Sequence, residues 1–253
     1  MSSDHDEEDL DIVQLASRRR YFAEEPFSIS GMECSAAEVW ETLGSRLTES
    51  RQKKIQNVCA QRCQSLVPVL EGIYDRGNIS AVMRSAEAFG FYRFHVVEHP
   101  ENRFKAANRV TQGTDKWLRV EKYSQAGESV LSLRSQGYKV FATHLEASVP
   151  IDQIDFTQKV AVVFGNEKDG VSQEMLDLVD GTFILPMQGF AQSFNISVAA
   201  ALTFSYAYWE RVRRLGKCAD LDDQAQMILM ANYALRSFDN PDQILKELIK
   251  RRS

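Results

Sequence analysis

Between Val67 and Arg214, short apolar runs rich in β-branched and aromatic residues alternate with segments of helical periodicity. The runs VPVLEGI (67–73), FYRFHVVE (91–98), WLRVEKY (117–123), YKVFAT (138–143), KVAVVFG (159–165) and TFILP (182–186) read as strands. Between them, NISAVMRSAEAFG (78–90), SQAGESVLSLRSQG (124–137) and SQEMLDLVD (172–180) read as helices, and a long helix is expected from Gln192 to about Arg214. Asn78 stands at an N-cap position and Gly90 just past a helix end. A strand that must be followed by a helix pairs most easily in parallel, with its crossovers packed on the sheet. The pattern therefore constrains the chain to an α/β fold, a mostly parallel sheet with helices on both faces.

The flanks differ from this core. Residues 1–44 read as an acidic and polar N-terminal tail, 45–64 as a basic helix, 65–213 as the α/β domain and 214–253 as a C-terminal helical extension. That extension holds DDQAQMILMANYALRSF and PDQILKELIKRR, both with helical apolar spacing. No apolar run approaches the roughly 20 residues of a membrane helix, and the acidic start is unlike a signal or transit peptide. The four cysteines, Cys34, Cys59, Cys63 and Cys218, form no CxxC pair and have no second ligand cluster for zinc. They fit a reduced, intracellular setting, cytoplasmic in the simplest case.

The net charge of −5 conceals an uneven distribution. Six acidic residues among the first eleven account for more than all of it, leaving the remainder near +1. Basic residues then gather in three groups: Arg46, Arg51, Lys53, Lys54 and Arg62; Arg211, Arg213, Arg214 and Lys217; and Lys246, Lys250, Arg251 and Arg252. Such groups are either solvated helix faces or a footprint for a polyanion such as RNA. Arg51, Lys53, Lys54 and Arg62 are the candidate RNA contacts. The acidic start would compete with RNA for these patches.

The first strand–helix turn, IYDRGNIS (73–80), has neither GxGxxG nor GxxxxGK[ST], which disfavours a dinucleotide fold and a P-loop. Three later turns stand out: ATHLEAS (142–148), FGNEKDGVS (164–172) and PMQGFAQSFN (186–195). All follow strands, and the carboxyl edge of a parallel sheet is where ligands bind. The polar residues near that edge are Asn78, Arg84, Glu167, Ser193 and Asn195. Each has a plain alternative. Ser193 or Asn195 could cap the long helix, Arg84 could lie exposed or pair with Glu87, and Glu167 could be a surface carboxylate.

Taken in order, three of these segments resemble the motifs of the SpoU, or TrmH, branch of the SPOUT RNA methyltransferases. NISAVMRSAEAFG is similar to the first motif, VVFGNEKDGVS to the second and ILPMQGFAQSFNISVAAAL to the third. The likeness covers about residues 65–212, and QGYKVFATHL (136–145) resembles the tRNA guanosine-2′-O-methyltransferase subgroup. The resemblance implies a sheet with a C-terminal trefoil knot, a homodimer, S-adenosylmethionine as cofactor and a 2′-O-methylated ribose in RNA as product. It assigns Arg84, Asn78, Glu167, Ser193 and Asn195 to catalysis. It assigns Thr143, His144, Gly165, Asn166, Leu185, Met187 and Phe194 to the cofactor pocket. Phe194 departs from the leucine usual there, which enlarges the side chain at the pocket edge. The substrate is expected to be a guanosine in tRNA; the alternatives are the same reaction on ribosomal RNA, or a silent RNA-binding protein on this fold.

Overall fold

The computed structural model describes residues 22–29, 32–98, 114–146, 148–241 and 244–245. The acidic start, the basic group from Lys246 on and most of PDQILKELIKRR lie outside them. The chain divides into two compact units: one spans Arg62–Asp220, and the other joins the chain up to Gln61 with the chain from Leu221.

The Arg62–Asp220 unit is built on a seven-stranded, wholly parallel sheet. Its strands are β3 (Leu66–Glu71), β4 (Arg93–Val97), β5 (Arg119–Tyr123), β6 (Lys139–Thr143), β7 (Val149–Pro150), β8 (Val160–Phe164) and β9 (Gly181–Ile184), in the order β5-β4-β3-β8-β6-β9-β7. β3, β4 and β8 are buried almost throughout, as strands covered on both faces must be. On one face Val67, Val69, Val140, Ala161 and Val163 pack with Val130, Leu133 and Met175 of α4 (Ala126–Ser135) and α5 (Gln173–Leu178). α3 (Arg76–Ala88) and α6 (Ile196–Leu215) pack together. From α6, the wholly buried Phe204 places its ring 5.8 Å from Phe91 and 6.0 Å from Phe164. Truncating such a ring costs about 3–5 kcal/mol through lost burial and the cavity left behind.

Several boundaries move from their expected places for identifiable reasons. Asn78 is not a cap: Asp75 takes that position, accepting the Gly77 N–H at 2.7 Å, so α3 begins at Arg76. Asn78 is thereby a helical residue with its amide free for other partners. The long helix begins at Ile196 rather than Gln192, because Asn195 caps it by accepting the Ser197 N–H at 2.8 Å. Thr114–Trp117 forms a 3₁₀ turn, so β5 starts only at Arg119.

The second unit corrects the expected tail over 1–44, which is structured from Phe22 on. A short hairpin, β1 (Phe27–Ile29) and β2 (Met32–Cys34), precedes α1 (Ala36–Gly44). Ser35 and Glu38 close a reciprocal capping box at its start. α2 (Glu49–Ala60) covers the core of the expected basic helix. α7 (Asp223–Leu235) joins them, so Ala231, Ala234 and Leu235 share one core with Phe27, Val39 and Leu43. Buried Asn232 of α7 accepts the Ala23 N–H and donates to the Ala23 carbonyl, both at 2.9 Å. Arg236 stacks on Phe22 at 3.9 Å, and burial lowers its pKa to about 10.

Candidate active site

β3, β8, β6 and β9 lie side by side and run parallel, so the loops leaving their carboxyl ends share one edge of the sheet. The order in which the chain lays down its strands also reverses along this edge, between β3 and β8. From β3 the chain winds outward through β4 and β5, then returns to the other side to lay down β6 and β8. An open α/β sheet forms its ligand crevice at such a switch point.

A cavity of about 620 Å³ opens at this edge. Thr143, His144, Gly165, Asn166, Leu185, Met187 and Phe194 all line it, as do Glu167, Ser193 and Asn195. Nearby residues of the same loops, including Glu146, Lys168, Asp169, Ile184 and Ala199, complete the wall; their membership followed from loop position but not from residue type.

Local bonding shows why the loops hold this shape. After β8, Asn166 and Gly170 exchange backbone hydrogen bonds at 2.9 and 3.1 Å, and the Asn166 side chain accepts the Lys168 and Asp169 N–H groups. This ties FGNEKDG into a tight turn. A Cβ on Gly165 would stand 2.0 Å from the Gly170 carbonyl carbon, so only glycine fits there. After β6, the Thr143 hydroxyl donates to the Val163 carbonyl at 3.2 Å and the His144 N–H to the Phe183 carbonyl at 3.1 Å.

Three of the expected catalytic residues form a hydrogen-bonded chain. The Asn195 amide donates to the Asn78 carbonyl oxygen at 3.2 Å, and the Asn78 amide donates to Glu167 Oε1 at 2.7 Å. The Tyr74 N–H reaches the other carboxylate oxygen at 3.4 Å. A residue from the first turn of α3, one from the turn after β8 and the cap of α6 are thus tied together at the pocket edge. Ser193 lies exposed on the pocket wall without a hydrogen bond to any described residue. Asn78 is not itself among the lining residues and meets the pocket through Glu167 and Asn195, whereas Arg84 is outside this network altogether. It lies exposed on α3, six residues beyond Asn78, or about 9 Å along the helix axis, and does not line the cavity. It does not pair with Glu87 either.

Glu87 has another partner, which corrects one RNA-contact assignment. Arg62 is 2% exposed and donates to the Glu87 carboxylate at 2.7 Å and to its carbonyl at 2.9 Å. It is a structural arginine of the α/β unit and presents nothing to RNA. Within the second basic group, buried Arg211 donates to the Phe156 and Cys218 carbonyls and to Asp220, while Arg214 pairs with Asp155 and Glu210. Arg51, Lys53 and Lys54 remain on α2; Lys53 and Lys54 are exposed, and Lys53 pairs with Glu49 one turn away.

A cradle of tight backbone turns over the ends of β6, β8 and β9, with an apolar wall and a polar rim, is the layout of an α/β enzyme that holds a cofactor at the carboxyl edge of its sheet. Comparison with known proteins specifies the kind. The sequence pattern of the SpoU rRNA Methylase family matches residues 65–205. A tRNA (guanosine(18)-2′-O)-methyltransferase of Thermus thermophilus is 35% identical over 167 residues, covering 66% of this chain and 86% of its own. The crystal structure of an Aquifex aeolicus TrmH/SpoU tRNA modifying enzyme superposes with a TM-score of 0.66 at 28% identity, over 73% of this chain and 96% of that one. The SpoU methyltransferase AviRb of Streptomyces viridochromogenes, crystallised with S-adenosylmethionine, superposes at 27% identity and a TM-score of 0.53, over 60% and 59% of the two chains. The chain belongs to the SpoU family of RNA 2′-O-methyltransferases, which use S-adenosylmethionine.

The residues present fit that cofactor. Leu185, Met187, Phe194 and Ile196 offer apolar surface for a purine, and Glu146, Glu167 and Asp169, against Lys168 alone, leave the lining net negative, which favours a sulfonium cation. The glycine turn at 165–170 lets a ligand approach backbone atoms directly.

Proposed function

We propose that this chain methylates the 2′-hydroxyl of a guanosine ribose in tRNA, within the cell and as a homodimer whose C-terminal sheet region carries the family's trefoil knot. The observation that carries the assignment of the site is the Asn195–Asn78–Glu167 chain of hydrogen bonds at the mouth of the pocket. The tRNA reading rests on the relatives, of which the Thermus and Aquifex proteins act on tRNA.

The bound cofactor supplies an electrophilic methyl group. The protein's task is the other half: to align a weakly acidic hydroxyl and ease the loss of its proton. Asn78 and Asn195 orient the ribose, because their amides are already fixed by one another and by Glu167. Ser193, exposed beside them, offers a hydroxyl to the same ribose. Arg84 stands outside the pocket on the helix that carries Asn78, where it braces the adjoining phosphate. A guanidinium keeps its proton up to a pKa of about 12 or more, so phosphate bracing and alkoxide stabilisation suit it better than proton abstraction. Lys53, Lys54 and Arg51 add backbone contacts to a structured RNA. The exposed apolar side chains Val198, Leu202 and Trp209 follow one face of α6 and are the surface offered to a second copy.

The test is methyl transfer from labelled S-adenosylmethionine to unmodified tRNA and, in parallel, to ribosomal RNA, with the product nucleotide mapped. A single 2′-O-methylguanosine in tRNA, lost in Arg84→Ala with cofactor affinity retained, is the expected result. Label confined to ribosomal RNA would replace the substrate, and label persisting in Arg84→Ala would remove that residue from the site.

A further inference from the structure

One aromatic ring at the mouth of the pocket takes no part in holding the cofactor. The loop that joins β9 to α6 begins and ends in the pocket, for Met187 lines its wall on the way out and Ser193 on the way back. The residues between them, QGFAQ (188–192), line nothing and are all exposed. They stand out from the rim as a small arch, and a Cβ added to Gly189 would meet no atom within 4 Å. Phe190, at the centre of the arch, is the most exposed of the large apolar side chains described.

A lone exposed phenylalanine on a surface is ordinary. This one stands beside the residues that meet the RNA. Its Cα lies within about 11 Å of that of Ser193, the reach of three extended residues. Phe194, four positions on, lines the cofactor pocket, and Phe190 does not. An exposed ring can be covered by a second copy of the chain or by a nucleobase, and the neighbours distinguish the two. Gln188, Gly189, Ala191 and Gln192 are small or polar, so the ring lacks the apolar margin that forms the centre of a subunit contact. The row Val198, Leu202 and Trp209 on α6 has that character instead. A nucleobase needs a flat face to stack on and polar groups at its edge. Phe190 supplies the face, and the carboxamides of Gln188 and Gln192 suit the edge. A ribose drawn into a pocket also pulls its nucleotide out of the RNA stack, and the stacking lost there has to be replaced by the protein.

We propose that Phe190 stacks on the base of the nucleotide whose ribose is methylated, and so restricts the enzyme to a nucleotide that is unpaired and free to leave its stack. The proposal rests on the reading that Asn78 and Asn195 hold that ribose. Stacking on an aromatic ring is indifferent to base identity. Phe190 therefore selects where in a folded RNA the methyl group goes, a loop rather than a duplex, and leaves the choice of base to other contacts.

The experiment measures steady-state methyl transfer by the full chain to an unmodified tRNA transcript, or to the ribosomal RNA if that is the one labelled, for Phe190→Ala, Phe190→Leu and Phe190→Tyr. Phe190→Ala should raise KM for RNA about 10-fold or more, with kcat and the affinity for S-adenosylmethionine within about twofold of the unaltered enzyme. Phe190→Tyr should restore KM and Phe190→Leu should not, because a leucine offers apolar area without a flat face. The second arm uses the same RNA made abasic at the methylated nucleotide. The unaltered enzyme should lose on it about the factor that Phe190→Ala loses on intact RNA, and Phe190→Ala should lose nothing more, since removing either partner of one contact removes the whole of it. A Phe190→Ala penalty that persists in full on the abasic RNA overturns the proposal, as does full activity in Phe190→Leu or an unchanged KM in Phe190→Ala. A shift of Phe190→Ala to a smaller species in light scattering would make the ring a subunit contact instead. Asn78→Ala is the control for the reading underneath. If it loses kcat while Phe190→Ala is unaffected, the stack alone fails; if its own rate is unchanged, the ribose assignment fails.

Discussion

The α/β unit holds two networks of polar side chains, and they invite opposite expectations. In one, Asn195, Asn78 and Glu167 form an exposed chain at the pocket. In the other, Ser129 Oγ lies 3.0 Å from His95 Nδ1, and His95 Nε2 lies 3.6 Å from the Glu121 carboxylate. By composition the second is the better catalyst, since serine, histidine and a carboxylate in that order make up a hydrolase triad. The environment says otherwise. Ser129 and His95 are wholly buried, and the Tyr123 ring covers the histidine at 4.6 Å. Desolvation lowers the His95 pKa to about 4, so the imidazole is neutral near pH 7. Burial alone would raise the Glu121 carboxyl, but Arg119, His95 and Arg93 outweigh it and hold it below its usual range. The buried network is structural. Access to a cavity, rather than the list of residue types, separates a site from a core.

The sharpest way to break this comparison is to remove one amide from the exposed network. Asn78→Ala should lower kcat/KM for RNA by about 10²–10³-fold, equivalent to roughly 3–4 kcal/mol of transition-state stabilisation. Its melting temperature should change little, because Asn78 neither caps α3 nor packs in the core. A fall in stability comparable with the fall in rate would make the exposed network a structural one as well.

The buried network should respond the other way, through stability and pH. The unfolded chain takes up a proton on His95 below its ordinary pKa near 6.5, whereas the folded chain resists it down to about 4. The depressed value means that stability contributed by the neutral histidine is present above pH 6.5 and is lost as pH falls towards 4. Between pH 7 and pH 5 the loss from this group is about 2 kcal/mol. Chemical denaturation at the two pH values should show it, and His95→Gln should remove that share of the pH dependence while leaving kcat at pH 7.5 within about twofold. A pH dependence unchanged in His95→Gln would place the titration elsewhere.

How much of this was legible in the sequence follows from how far each partner lies along the chain. The strand runs were plain because β-branched residues repeat within a few positions, and the strand order then brings the motif loops to one edge. All seven expected cofactor-pocket residues line the cavity for that reason. Arg62 was illegible as a structural residue because Glu87 lies 25 positions away, and a charged side chain beside Lys53 and Lys54 reads as surface. The 22–44 segment read as a tail because the partners that bury Phe27 and Val39, such as Ala231 and Leu235, come from the far end of the chain. The Asn78 boundary failed locally: Asp75, three residues earlier, is an equally good cap, and sequence alone does not rank them.

Asn195 sharpens the comparison because it belongs to both kinds of structure at once. Its Oδ1 caps α6 through the Ser197 N–H, and it accepts the Ser197 hydroxyl at 2.6 Å as well, while its amide nitrogen reaches Asn78. The two functions use different atoms and so come apart by substitution. Asn195→Asp keeps the capping oxygen and loses the amide donor, so the Asn78 carbonyl oxygen then faces a carboxylate. It should keep stability within about 0.5 kcal/mol of the unaltered protein and lose activity on RNA. Asn195→Ala loses both and should be destabilised by about 1 kcal/mol, the usual cost of a missing cap. Melting curves and rates of the two variants, measured side by side, check the separation. Equal activity in the aspartate variant would make the amide nitrogen dispensable and reduce Asn195 to a cap.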